Sequence, residues 1–425
     1  MSGKTRGINI LGLRTYSYPL PFQQEEKIMK LADRISRLGV ETAFAVSDDA
    51  RAWAAKGNKV YPFHLGDMNI RTPLNIIEAA HKALLDGKTG YCPAAGIPEL
   101  REVIAADLGK NRGIQFTMEN VSVQPGGKPV IGKFFQALLN EGDEALYPNP
   151  GYPIYESQIQ FLGGVAVPYG YTMTKNGFRL QRDKIEAAIT RRTRFFVYNN
   201  GQNPLGAESD DEEMQWLANL CMKHNLLVLA DEPYFHTRYS GKSKSITSIP
   251  GMMERSVILM TFSKRYAMTG WRLGGALGPK EVINVINKLN VNQESCTPQF
   301  VQYAGVEALT GDQTGPKGII DVLRERRDVL VDLLNGIQGV TVYKPEVTFY
   351  LFPDVTDVLK RLGYTDEQKF RLDTLHATGV SFCSRSHFGR PLPGEDRVYI
   401  RFAYSGIDVD KIREGLAKLK AYWER

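Results

Sequence analysis

The chain of 425 residues carries 53 basic and 47 acidic side chains, a formal net charge of +6, with 43% hydrophobic and 24% charged residues. That balance belongs to a folded globular protein and argues against a disordered one, and the length allows two or three domains. The mild positive excess is spread along the chain and is not gathered into the basic patch that nucleic-acid binding wants, so a local need for anion binding is the more economical reading.

Taken in chain order, residues 26–57 read as one or two helices. Short β-branched and apolar runs then alternate with amphipathic stretches. Strands are predicted at Val121–Val123, Glu144–Tyr147, Val165–Val167, Phe195–Tyr198, Leu226–Ala230, Val257–Thr261 and Gly275–Gly278, with helices at Val130–Leu139, Tyr155–Leu162 and Asp211–His224 between them. Alternation of this kind predicts a mostly parallel sheet with helices on both faces. Towards the end, 320–335 and 410–423 have heptad-like helical spacing, while Val340–Tyr343, Thr348–Leu351 and Val398–Phe402 read as strands of a smaller sheet. The expectation is an α/β fold: a large α/β domain over 70–305, and a small α+β domain built from 306–425 with the N-terminal segment 1–69.

Cys92, Cys221, Cys296 and Cys383 stand far apart with no CxxC pair. They suggest neither a zinc site nor a disulfide framework, and reduced thiols in a cytoplasm are expected. The opening residues lack the long apolar run of a signal peptide, and no stretch approaches the 18 apolar residues of a membrane span.

Ligands of open α/β sheets bind beyond the carboxyl ends of the strands, and the unusual residues follow strands here. In Thr261–Gly275, Ser263 and Lys264 come directly after a strand, and Arg272 follows eight residues later between Gly270 and Gly274. A lysine desolvated at a strand end has a lowered pKa and can form an imine with a carbonyl; an arginine beside it can grip a phosphate. On composition alone both can equally be surface residues of a loop. The apolar strand from Leu226 runs into Asp231, a carboxylate that either pairs with a buried cation or caps a helix, and Tyr234 lies three residues on. Another strand empties into Asn203-Pro204, an amide donor or an ordinary turn. Gly126-Gly127-Lys128 sits between a strand and a helix, where backbone N–H groups bind phosphate readily. Tyr152 projects from a proline-rich turn, available for stacking or for plain packing. Arg401, amid apolar residues, must find an anion, either a substrate carboxylate or a structural acid.

Together these residues resemble the class I/II aminotransferases of the aspartate aminotransferase superfamily, fold-type I enzymes dependent on pyridoxal 5′-phosphate (PLP). The Ser-Lys-(seven residues)-Arg-x-Gly stretch carries most of that resemblance, which runs from about Thr42 to the C-terminus. It implies that Lys264 is the Schiff-base lysine and general base, Asp231 the partner of the pyridine nitrogen, and Tyr234 and Asn203 donors to the cofactor's O3′. Tyr152 would stack on the ring. Gly127, Lys128, Ser263 and Arg272 would form the phosphate cup, the first two through backbone N–H groups. Tyr91 would reach the phosphate of a neighbouring subunit, which implies a homodimer with shared sites. Arg401 would clamp the substrate α-carboxylate, with the Gly66 backbone facing the substrate.

The resemblance further implies transfer of the amino group of an L-α-amino acid to a 2-oxo acid such as 2-oxoglutarate by a ping-pong cycle. The same cofactor supports β/γ-lyase, cyclase or amino-acid oxidase chemistry, and these remain the alternative. Two loops depart from the family pattern. Leu205 stands where the family has threonine after Asn-Pro, and Ser384-Arg385 replaces the usual Pro-Gly. His236 is also unusual there. A cation on a substrate-side loop makes Arg385 either the candidate for a second substrate carboxylate or one half of a surface salt bridge.

Overall fold

The computed structural model describes residues 29–425. The start of the predicted N-terminal helical stretch, 26–28, and all of 1–28 lie outside them. Seven strands make the main sheet: β1 (Val121–Gln124), β2 (Glu144–Pro148), β3 (Val165–Tyr169), β4 (Thr193–Asn199), β5 (Leu227–Asp231), β6 (Ser256–Thr261) and β7 (Gly274–Leu277). Their order is β1-β7-β6-β5-β4-β2-β3. Only β7 runs against its two neighbours; the other four pairings are parallel. Each strand lies within two residues of its predicted place.

The interior strands form because they are buried on both faces and carry almost unbroken apolar runs. In β4, Phe195 and Val197 point to one face while Phe196 and Tyr198 point to the other, the period of two that a strand imposes. On the first face, Phe134, Phe135 and Phe195 meet edge to face at 5.2–5.8 Å. Losing any one of these rings to alanine would cost about 3–5 kcal/mol. The opposite face is covered by helices that include Pro98–Arg112 and Asp211–Lys223. The second of these opens on Asp210, whose carboxylate accepts from the Glu213 N–H at 2.9 Å. Acids at 211–213 and Lys223 at the far end follow the helix dipole.

A separate core gathers the last part of the chain. Phe370, Phe382, Phe402 and Trp423 stack within it beneath the helices Thr314–Asn335 and Val409–Trp423. Its three-stranded sheet joins Tyr350–Leu351, Ile400–Ala403 and Cys383–Ser384. Tyr61–Pro62 pairs in parallel with Val380–Ser381, so the chain before residue 69 adds to this core. The strand expected at Val340–Tyr343 is not formed: Thr341 makes only an isolated bridge to Asp354.

Candidate active site

The parallel strands deliver their carboxyl ends to one side of the main sheet. There the loops enclose a cleft of about 650 Å³. Eleven of the thirteen predicted site residues line it: Gly66, Gly127, Lys128, Tyr152, Asn203, Asp231, Tyr234, Ser263, Lys264, Arg272 and Arg401.

Asp231 ends β5 and is buried. Its Oδ2 accepts from the hydroxyl of Tyr155, while Oδ1 has no hydrogen-bond partner among the described residues. Burial holds its carboxyl up at about 7 against an ordinary 3.8; the Tyr155 hydroxyl draws it down and Glu232 pushes it further up. Such an oxygen asks for a cation. Lys264 follows β6, and its Nζ donates to the Gly66 carbonyl at 2.8 Å. Burial lowers the Lys264 amine to about 8, offset by Asp67 and Glu41 and reinforced by Arg401 and Arg272. The two groups are therefore poised near neutrality from opposite sides, which is what acid–base chemistry at neutral pH requires.

The anion end of the cleft is built from backbone. Gly127 caps the helix Lys128–Leu138, and both Gly127 and Lys128 line the cleft, at the helix end where free N–H groups bind anions. Gly126 has φ +98°, and a Cβ there would collide with the Arg272 guanidinium. Arg272 itself is left-handed, φ 55°, and is fixed by a 2.8 Å bond from its Nη1 to the Thr269 carbonyl. Thr261 Oγ1 accepts from the Ser263 backbone N–H at 3.2 Å and donates to Ser263 Oγ at 2.9 Å. A ligand with a phosphate at one end and a basic ring nitrogen at the other fits this donor set.

Arg401 lies on the strand Ile400–Ala403, buried between the rings of Tyr350 and Phe388 at 4.7 and 4.6 Å. It donates to Asn203 Oδ1 at 3.0 Å and to the His64 carbonyl at 2.5 Å, while its Nε has no partner among the described residues. Burial, then Arg401, lowers the His64 imidazole to about 4, so it stays neutral. The Tyr234 hydroxyl meets that of Tyr350 at 2.8 Å.

Two predicted residues lie elsewhere. Tyr91 is 90% exposed and does not reach its own cleft. Arg385 corrects the expectation of a second substrate-binding arginine. It is buried, and its guanidinium is already held by Glu395 in two bonds of 2.9 and 2.8 Å and by the Gly389 carbonyl at 2.8 Å. The acid that neutralises it comes ten residues later on the same loop. His236 also lies outside the cleft, 3.7 Å from Asp107.

Sequence reasoning missed Tyr155, Tyr350 and Glu41, all lining the cleft. Tyr155 follows Tyr152 at helical spacing, which was a usable signal. Glu41 gave none; its carboxylate accepts from the Tyr152 hydroxyl and from Lys128 Nζ, each at 2.8 Å. Among the described residues no group of His, Cys, Asp or Glu is placed to hold a metal ion, and no helix is long and apolar enough to cross a membrane.

The family model for aminotransferase class I and II matches residues 59–419. A probable aspartate/prephenate aminotransferase of Aquifex aeolicus (strain VF5) is 35% identical over 397 residues, 92% of this chain and 98% of that one. An asparagine–oxo-acid transaminase of Streptococcus mutans is 32% identical over 399 residues, 93% of this chain and 100% of its own length. Among solved structures, the aspartate aminotransferase from Rhizobium meliloti has a TM-score of 0.87 at 30% identity, covering 93% of this chain and 99% of that one. Sheet, cleft and kinship agree: the chain belongs to the class I and II aminotransferases of fold-type I, and it is an amino-acid aminotransferase.

Proposed function

We propose that this enzyme moves the amino group of an L-α-amino acid to a 2-oxo acid such as 2-oxoglutarate in a ping-pong cycle, using pyridoxal 5′-phosphate carried on the Lys264 amine. The observation that carries the reading is a pair of groups in one cleft, the buried Asp231 with an unpartnered carboxylate oxygen and the partly buried Lys264 with a depressed amine held by the Gly66 carbonyl. When bound, the cofactor supplies the electron sink that makes loss of a Cα proton feasible.

The chain's residues do the rest. Asp231, oriented by Tyr155, would pair with the ring nitrogen and keep it protonated. Tyr234 and Asn203 would donate to O3′, and Tyr152 would cover the ring. The N–H groups of Gly127 and Lys128, with Ser263 and Arg272, would hold the phosphate. Arg401 takes the substrate α-carboxylate through its planar fork, with the Gly66 backbone alongside, and so fixes where the Cα–H bond points. Once the incoming amino group has displaced it, the freed Lys264 Nζ would take the proton from Cα and give it back across the transferred nitrogen; a positioned base of this kind contributes roughly 10²–10⁴-fold.

Tyr91 would reach the phosphate of a partner subunit in a homodimer, a role supported by its exposure and by its not lining its own cleft. We read the chain as a large domain over 70–305 and a small one from 1–69 with 306–425, of which 1–28 lie outside the described residues; the separate core of its last part supports this, and we assign the enzyme to the cytoplasm, in keeping with its four free cysteines. The test is a donor screen on the holoenzyme with 2-oxoglutarate, following both the keto acid formed and the cofactor chromophore. Stoichiometric conversion by donor alone, reversed by acceptor, is expected, and Lys264→Ala should lose the imine absorbance and nearly all turnover. Ammonia release without an acceptor, or oxygen consumption, would refute the transfer.

A further inference from the structure

The cleft has donors for carboxylates at two places. Arg401 is one. The other is the pair Tyr152 hydroxyl and Lys128 Nζ, and a carboxylate is already there: that of Glu41, 2.8 Å from each. Lys128 Nζ also lies 5.6 Å from the centre of the Tyr152 ring, so the two donors form one small subsite.

The three acids lining the cleft differ in their engagement. Asp67 accepts from the Thr269 hydroxyl and the Met68 N–H, and Asp231 is held by Tyr155. Glu41 alone is bound to a lysine. It precedes the helix Ala43–Ala54, its side chain is 21% exposed, and Lys128 is 46% exposed. A half-exposed pair of this kind is weak and exchangeable, and Glu41 has solvent to move into.

We infer that Glu41 is a specificity-determining residue whose carboxylate stands in for the second carboxylate of a dicarboxylic substrate. With a neutral amino acid bound, Glu41 stays on Lys128 and Tyr152, so neither donor is left unpaired. A dicarboxylic substrate displaces Glu41 and takes both donors. One cleft thus accepts both classes, and Glu41 sets the ratio between them, since specificity is a difference of affinities. This rests on the reading above that Arg401 holds the α-carboxylate.

The experiment compares wild-type holoenzyme with Glu41→Ala and Glu41→Gln. Half-reaction rates with L-aspartate and L-alanine are followed on the chromophore, and binding of succinate, which cannot react, is measured by calorimetry. Glu41→Ala should raise the aspartate-to-alanine ratio of kcat/KM by about threefold to fivefold, the worth of a half-exposed ion pair, and tighten succinate by the same factor. Glu41→Gln should move both in the same direction by less, and carries the test if the alanine variant does not fold. With Lys128→Met present, removing Glu41 should no longer change the ratio. An unchanged ratio and succinate affinity in both single variants, or an equal gain in the Lys128→Met background, would overturn the assignment. A wild-type enzyme that transfers from no amino acid would instead refute the function proposed above.

Discussion

Replacing Asp231 by asparagine should strengthen the cofactor-free chain while disabling the enzyme. Burial is the main reason its carboxyl sits at about 7 and not 3.8. A carboxyl raised in the fold contributes stability that is whole below about pH 4 and is lost as pH rises through about 7. The gap between 3.8 and about 7 corresponds to roughly 4 kcal/mol of destabilised carboxylate once the group is ionised. Asparagine keeps an acceptor for the Tyr155 hydroxyl and carries no charge at any pH, so it escapes this cost. Urea unfolding of the cofactor-free proteins at pH 5 and pH 8 measures it. The variant should gain about 2–4 kcal/mol over wild type at pH 8 and much less at pH 5, and the reconstituted variant should lose turnover by orders of magnitude. Parallel stability at both pH values would mean that Asp231 is not an isolated buried anion and has no need of a cationic partner.

Lys264, lowered to about 8 chiefly by burial, is a nucleophile only when deprotonated. The rate at which the cofactor-free chain captures PLP should therefore climb about tenfold per pH unit below 8 and level off above it; a rise continuing to pH 10 would contradict the burial argument. Arg385→Ala should leave kcat/KM for aspartate within about twofold but lower thermal stability by about 2 kcal/mol, because it strands the partly exposed Glu395. A large change in the aspartate KM with an unchanged Tm would return Arg385 to the substrate.

The parts of this molecule that could be read from sequence share a physical cause. Strands β4 to β6 are buried on both faces, so their β-branched and aromatic runs leave little choice of structure, and their polar ends stand out against them. The end of β5 at Asp231 and the end of β6 before Lys264 were legible for that reason. Val340–Tyr343 has the same composition but pairs only at Thr341 with Asp354, and composition alone does not make a ladder. The helix Glu367–Thr378 buries Arg371 and Thr374 beside Phe370 and Leu375, which blurs the apolar stripe that would have announced it. Arg385 misled because its loop position was visible while its partner Glu395 was not known to fold back onto it. Tyr155 meets Asp231 across 76 positions, and Glu41 meets Lys128 across 87; pairings of that reach are made by the sheet order and leave no local trace.

The bond from Arg401 to the His64 carbonyl spans 337 positions and that from Lys264 to Gly66 spans 198. Contacts so distant in sequence form late, after the loop entropy between them has been lost. A growing polypeptide therefore has no finished cleft until nearly its last helix, Val409–Trp423, has been synthesised. With the cofactor proposed above, appearance of its bound chromophore during refolding would time the docking of the segment around His64 and Gly66 against Lys264 and Arg401 more faithfully than any measure of helix content.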